Sequence, residues 1–366
     1  MVQVAVADAA VEATMPTRAF PSPASLAADP HPPSWQALLG LLVLAVVSVV
    51  LFLAAKTFLK PYSSQTHSFT GSKSTKSRAD RKAYAPPLGY FLNKDHLYIY
   101  HQEWLPANGT PKGVVVLVHG LGEHCGRYAT LANRLCKELG VAVVALDHQG
   151  HGKSEGDRLF VVHFEDFVAD VMQLTSIARK KFGANVPFYM LGHSLGGLIA
   201  IRCVEKHPDQ FVAAVFSAPA LTVNASETER KLAPLISTYL PHLPMNKVDP
   251  NILTHDPCLT DLYCNDPLVT LDGVTARLGA ELLDAIDRAL AFSYEVTLPY
   301  LLIRGSADRV TLREGIVEFH KQSKSKDKTF TELKDLYHEI FNEVNSPAAS
   351  IVIDWLKARM TAQSMI

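Results

Sequence analysis

The stretch VPFYMLGHSLGGLIAI, Val186 to Ile201, sets one serine among glycines between two apolar runs. Val186–Leu191 is short, apolar and interrupted only by Pro187 near its start, the pattern of a buried strand. From Leu195 to Lys206 apolar residues recur at helical spacing, and His207-Pro208 supplies a stop. The period changes within Gly192, His193, Ser194, Leu195 and Gly196. So sharp a strand-to-helix turn needs glycine wherever a Cβ would strike a neighbouring strand or helix. It holds the Ser194 hydroxyl out at the carboxyl end of a sheet. It also sets the Leu195 N–H at a helix N-terminus, where donors are unpaired and the dipole favours negative charge. The pattern G-x-S-x-G is that of a nucleophile elbow. A plain turn with a capping serine would read the same, so the partners of Ser194 decide.

Reactive groups of an open α/β sheet gather outside the carboxyl ends of its strands. Downstream of Ser194, LPYLLIRGSADRV (298–310) leaves Asp308 just past an apolar run, and FTELKDLYHEIF (330–341) leaves His338 in the following loop. The order Ser…Asp…His is the α/β-hydrolase order. Other acids fit worse: Asp284 and Asp287 lie on a helical pattern and Asp272 in an inserted section. Of the other histidines, His320 falls inside a helix and His193 within the turn itself. A serine hydroxyl is a poor nucleophile at its free pKa, so His338 would take its proton. Asp308 would fix the imidazole tautomer and stabilise the imidazolium. A tetrahedral oxyanion needs two N–H donors. Leu195 offers one; Leu121, between glycines in VVVLVHGLGEHCGRY (114–128), offers the other.

The surrounding chain has the rhythm this requires. Strand-like runs alternate with helical patterns around Arg127–Leu139, Phe164–Lys181, Leu195–Lys206, Arg313–Lys321 and Ser346–Met360. Several strand runs are continuously apolar, as in strands buried on both faces, so the expected fold is a mostly parallel sheet covered by helices on both sides. Between about 221 and 296 no strand pattern appears. LAPLISTYLPHLP and LGAELLDAIDRAL instead predict an inserted helical cap on the ligand side of the sheet.

With 366 residues, 48% hydrophobic, 19% charged and a net charge of −1, the chain admits one large α/β domain plus an appendage and offers no electrostatic case for nucleic acid. Its five cysteines form no C-x-x-C, so neither a disulfide framework nor a zinc site is expected. HEIFN has Asn342 where H-E-x-x-H needs histidine, and HGLGEHCG lacks both the lysine of a P-loop and the spacing of a dinucleotide fingerprint. His119, His124, His148 and His151 read as hydrogen-bonding groups of loops around the cleft rather than metal ligands. No cofactor or metal is expected.

The N-terminus is different material. Residues 1–36 are rich in Ala, Pro and Val without a period and read as disordered. Residues 37–55, ALLGLLVLAVVSVVLFLAA, run without a charge and as a helix would span about 28 Å, close to the hydrocarbon thickness. A transmembrane helix is expected there. Seven Lys and Arg between Lys56 and Lys82 face only Asp80, whereas Arg18 stands alone upstream against Asp8, Glu12 and Asp29. The positive-inside rule then places the C-terminal side in the cytosol. Residues 56–82 read as a basic flexible linker, and 83–366 as the catalytic domain.

HGLGEHCGRY, DHQGHGKSEG, GHSLGG, GSADRV and YHEIFNE, in that order and at suitable separations, resemble the monoacylglycerol lipase group of the α/β-hydrolase superfamily across residues 85–360. The resemblance implies a membrane lipid ester as substrate, hydrolysed without a cofactor. It also implies Ser194, Asp308 and His338 as the triad, the Leu121 and Leu195 N–H groups as oxyanion donors, and a cap whose apolar rim meets the membrane. The chain departs from the group in having Leu195, where methionine is common, and in its N-terminal apolar segment. Relatives that transfer acyl groups carry H-x-x-x-x-D; here the fifth residue after His207 is Val212. The triad itself leaves lysophospholipase, general carboxylesterase and, on the same fold, a non-catalytic lipid-binding module as alternatives.

Overall fold

The computed structural model describes residues 86–107 and 109–363. The segments expected to be disordered (1–36), transmembrane (37–55) and linker (56–82) lie outside the described residues. No helix among the described residues is long and apolar enough to cross a membrane.

Among the described residues the sheet has eight strands: β1 (Tyr90–Leu92), β2 (Tyr98–Trp104), β3 (Val114–Val118), β4 (Ala142–Leu146), β5 (Phe188–His193), β6 (Ala213–Ser217), β7 (Tyr300–Gly305) and β8 (Lys328–Leu333), in the order β1-β2-β4-β3-β5-β6-β7-β8. Of its ladders, β1–β2 and β2–β4 are antiparallel and the rest parallel. The helices are α1 (Ala129–Leu139), α2 (Phe164–Phe182), α3 (Leu195–Lys206), α4 (Glu227–Tyr239), α5 (Pro257–Asn265), α6 (Ala276–Ala291), α7 (Arg313–Gln322) and α8 (Ala348–Gln363). This is the α/β-hydrolase fold.

Apolar runs become central strands because both faces are covered. Every residue of VVVLV in β3 and AVVAL in β4 is buried. Val114, Val116 and Val118 point into one core with α2, α3, α6 and α7. Val115 and Leu117 point into the other with α1 and α8. Fully burying a side chain of this size contributes about 1.5–3 kcal/mol, enough to fix strand register.

Register in turn positions the site. Val118 lies opposite Gly192, His193 opposite Ser217, Ser217 opposite Ile303 and Gly305 opposite Leu333. The carboxyl ends of β3, β5, β6, β7 and β8 therefore form one edge, and the loops holding Leu121, Ser194, Asp308 and His338 all leave from it.

The stretch between β6 and β7 is helical, with one isolated bridge among the described residues, Pro244 to Thr275. Two details differ from the sequence reading. Helix α4 begins at Glu227 rather than Leu232, because Ser226 accepts from the Glu229 N–H while the Glu229 carboxylate accepts from the Ser226 N–H, a capping box. It ends at Tyr239, two residues before Pro241, rather than running on to Pro244. Helix α5, not anticipated, starts with Asp256 capping the Cys258 N–H and Pro257 in the first turn. Cys125, Cys136 and Cys203 are buried, Cys258 and Cys264 exposed on α5, and all five are free thiols.

Candidate active site

Ser194 sits at φ 55°, ψ −119°, a left-handed conformation that a non-glycine residue holds only where its surroundings enforce it. The enforcement is visible. The Ser194 N–H donates to the Ser217 carbonyl at 2.9 Å, and its own carbonyl accepts from Leu198 (3.1 Å) and Ala220 (3.0 Å). A Cβ on Gly196 would collide with the Val118 and His119 carbonyls, and one on Gly192 with the Gly196 backbone. The helix can therefore approach β3 and β5 only with glycine at both positions.

The loop after β3 passes directly alongside. A Cβ placed on Gly120 would lie 3.3 Å from the Ser194 Cβ. Neither the Leu121 N–H nor the Leu195 N–H meets an acceptor among the described residues, so both remain available to an anion beside Ser194. The Leu195 side chain is buried with the core cluster, which anchors the first turn of α3.

On the acid–base side, His338 Nδ1 lies 2.8 Å from Asp308 Oδ2. The Asp308 carboxylate also accepts from the Val310 N–H (2.8 Å), the Thr311 N–H (3.1 Å) and the Thr311 hydroxyl (2.7 Å). Burial works against its charge, but His338 and the Thr311 donors outweigh burial and hold the carboxyl well below the usual carboxylate range. His338 therefore faces a permanent anion. Its ring stands 4.7 Å from that of His193, the residue before Ser194. No hydrogen bond joins the Ser194 hydroxyl to His338; such nucleophile–base pairs are often loose until substrate is bound.

His193 is not a competing base. Burial and the neighbouring His338 bring it down to about 3, and its Nδ1 pairs with the Ser217 hydroxyl at 3.1 Å. Burial likewise keeps His119, His148 and His151 neutral. The His148 backbone N–H donates to His119 Nε2, which leaves Nδ1–H of His119 to donate to the Gly120 carbonyl at 2.8 Å. Because the peptide is trans, that anchor aims the following N–H, that of Leu121, to the opposite side.

Sequence reasoning missed Glu123 and Arg127. Glu123 is 3% exposed, and its Oε1 accepts from the Gly120 N–H and the Tyr128 hydroxyl, both at 2.6 Å. Burial opposes its charge, but Arg127 prevails and holds the carboxyl below its ordinary value. Arg127 donates to Glu123 at 3.0 Å and to Glu339, the neighbour of His338, at 2.5 Å. Its guanidinium also covers the Tyr263 ring of α5 at 4.5 Å. One cation thus ties together the oxyanion-side loop, the His338 loop and the helical insertion. Replacing Glu123 with alanine frees the Gly120 amide. Its kcat should fall towards the about 10²–10³-fold loss typical of removing an oxyanion donor, with KM little changed. Glu123→Gln keeps the acceptor and should retain more activity. Steady-state kinetics on a soluble ester reads both.

Above Ser194 the insertion encloses a cavity of about 350 Å³, lined by Leu121, Leu195, Leu232, Ile236 and Leu283 among other mostly apolar side chains, with Thr311 at its edge. A larger groove of about 980 Å³ lies at the amino ends of the strands, beside Lys112 and Phe188, away from these groups.

The Hydrolase_4 family, described as serine aminopeptidase, S33, matches residues 109–345. Monoglyceride lipase of Mus musculus is 37% identical over 281 residues, covering 75% of this chain and 92% of that protein. Monoacylglycerol lipase of Mycolicibacterium smegmatis is 32% identical over 258 residues, 70% of this chain and 90% of that one. Among solved structures, the monoacylglycerol lipase of Paleococcus ferrophilus covers 71% of this chain and 99% of its own, at 33% identity and a TM-score of 0.64.

Proposed function

Because the chain belongs to the Hydrolase_4 family of α/β-hydrolases and within it to the monoglyceride lipase group, we propose that it cleaves monoacylglycerol to fatty acid and glycerol. It is a carboxylic-ester hydrolase. The observation that carries the substrate is the apolar cavity of about 350 Å³ that opens onto the Ser194 hydroxyl, a volume within the range of small-molecule sites and suited to an acyl chain.

In this reading Ser194 attacks the ester carbonyl as His338 takes its proton, and the Leu121 and Leu195 N–H groups hold the oxyanion. Asp308 stabilises the imidazolium. His338 then returns the proton to the departing glycerol oxygen, leaving an acyl-enzyme on Ser194 that water cleaves by the same route reversed. Nothing in this cycle needs a metal or cofactor.

The substrate resides in a bilayer, and two features suit that. The insertion exposes Leu232, Leu235, Tyr239, Leu243 and Met245 beside the cavity, an apolar rim fit to meet lipid. The uncharged run 37–55, followed by the basic stretch 56–82, suits a single-pass anchor with the catalytic domain on the cytosolic face of an endomembrane such as the endoplasmic reticulum.

Turnover of the purified protein on a panel of glycerides and lysolipids tests the substrate. Monoacylglycerol should be preferred over lysophosphatidylcholine and over short-chain esters; the reverse order would assign a lysophospholipase or a general carboxylesterase instead. Deleting residues 1–60 should lower turnover of vesicle-borne monoacylglycerol and leave short soluble esters unchanged. Equal loss on both would remove the anchor from the reading.

A further inference from the structure

Arg304 is out of keeping with its strand. All six residues of β7 (Tyr-Leu-Leu-Ile-Arg-Gly) are buried, and Arg304 is 3% exposed. A guanidinium so placed is costly unless paired. Its partners form two groups. On β8, where Arg304 and Glu332 are register partners, Nη1 donates to Glu332 Oε1 at 2.8 Å. Glu332 also binds Nε of Arg313, the first residue of α7, at 2.9 Å. At the strand's carboxyl end, Nη2 donates to the carbonyls of Asp308 and Thr311, each at 3.3 Å. Those two carbonyls belong to the turn whose Val310 and Thr311 donors hold the Asp308 carboxylate.

We propose that Arg304 is a positioning residue: by bridging the Asp308 and Thr311 carbonyls it fixes the turn that aims Asp308 Oδ2 at His338 Nδ1. The inference rests on the triad reading above. The bracing extends to the histidine. A Cβ on Gly305 would collide with the Leu336 and Tyr337 carbonyls, and the Ala307 N–H donates to Leu336 at 3.0 Å. The acid turn therefore packs on the loop that presents His338, and the arginine holds that turn from below. A glutamine at 304, shorter and with a single NH₂, cannot serve Glu332 and both carbonyls as the two guanidinium nitrogens do. The turn can then settle elsewhere while strand and sheet persist.

The test is a double-mutant cycle on the full-length protein, read as kcat and KM on a p-nitrophenyl ester with the thermal midpoint measured in parallel. Arg304→Gln should lower kcat by about 10²-fold, the scale of a misplacement near 1 Å, with KM unchanged. Arg304→Lys, whose ammonium keeps a charge for Glu332 but lacks the planar fork, should recover part of the loss. In the Asp308→Asn background Arg304→Gln should have no further effect, because the group it positions is gone. A simple loss of folded protein would instead subtract the same factor in both backgrounds. Should Arg304→Gln not fold, Arg304→Lys carries the cycle, with a smaller loss that also vanishes beside Asp308→Asn. Undiminished kcat in the arginine variants, a change confined to KM, or equal factors in both backgrounds would overturn the proposal alone. An Asp308→Asn enzyme of full activity would overturn the triad reading and this inference with it.

Discussion

Ser194→Ala is expected to lower ester hydrolysis by about 10⁶-fold and to abolish labelling by a fluorophosphonate probe. The size follows from what a single atom does in this arrangement. The Leu121 and Leu195 amides and the cavity above them survive the substitution, so substrate still binds and its carbonyl is still polarised. What is lost is the hydroxyl that the elbow presents to the cavity, and with it the covalent route. The remaining rate comes from water attacking a carbonyl that the donors activate, which in such enzymes is about 10³–10⁴-fold above the uncatalysed reaction. Stability should change little, since alanine keeps the Cβ and so the same strain at φ 55°, and the hydroxyl has no partner among the described residues to lose. Retained labelling in the alanine variant would move the nucleophile elsewhere and remove the reading of the elbow.

The elbow was legible because its constraint is local. Glycine on both sides of one serine, between a strand period and a helix period, marks the turn within one short stretch of sequence. Asp308 was legible because it follows the buried, largely apolar run of β7. His338 follows the half-buried, alternating β8 and was found through its place after Ser194 and Asp308 in the chain order. The fold's weak signals are those where local pattern is thin. β1 is three residues at the sheet edge, too short for alternation to register. Helix α4 began earlier than its apolar positions suggested because a polar capping box, not hydrophobicity, starts it. Least legible were the charged groups that brace the site. Arg127 meets Glu339 across 212 positions of sequence, and Arg304 meets Glu332 only because two strands lie in a particular register. In sequence each is one basic residue in an ordinary context. Only folding supplies the anion that makes it structural.

Asp308→Asn should cost about 10⁴-fold in kcat while leaving substrate affinity and fold nearly intact, and the reason lies in which donors surround the carboxylate. Oδ1 accepts two backbone N–H groups, from Val310 and Thr311, which cannot turn away. An asparagine must therefore place its carbonyl oxygen there and its NH₂ at the Oδ2 position. That position faces the Thr311 hydroxyl, which can rotate to accept, and His338 Nδ1. To accept from an NH₂ the imidazole must carry its proton on Nε2 instead of Nδ1, and a protonated Nε2 cannot receive the proton of Ser194. The variant thus keeps every residue of the site in place with the base in the wrong tautomer. Raising pH should restore part of the activity, as hydroxide can then do the deprotonation that His338 no longer performs. An Asp308→Asn enzyme within tenfold of the parent at neutral pH would mean that the buried carboxylate, for all its donors, does not set the tautomer of His338.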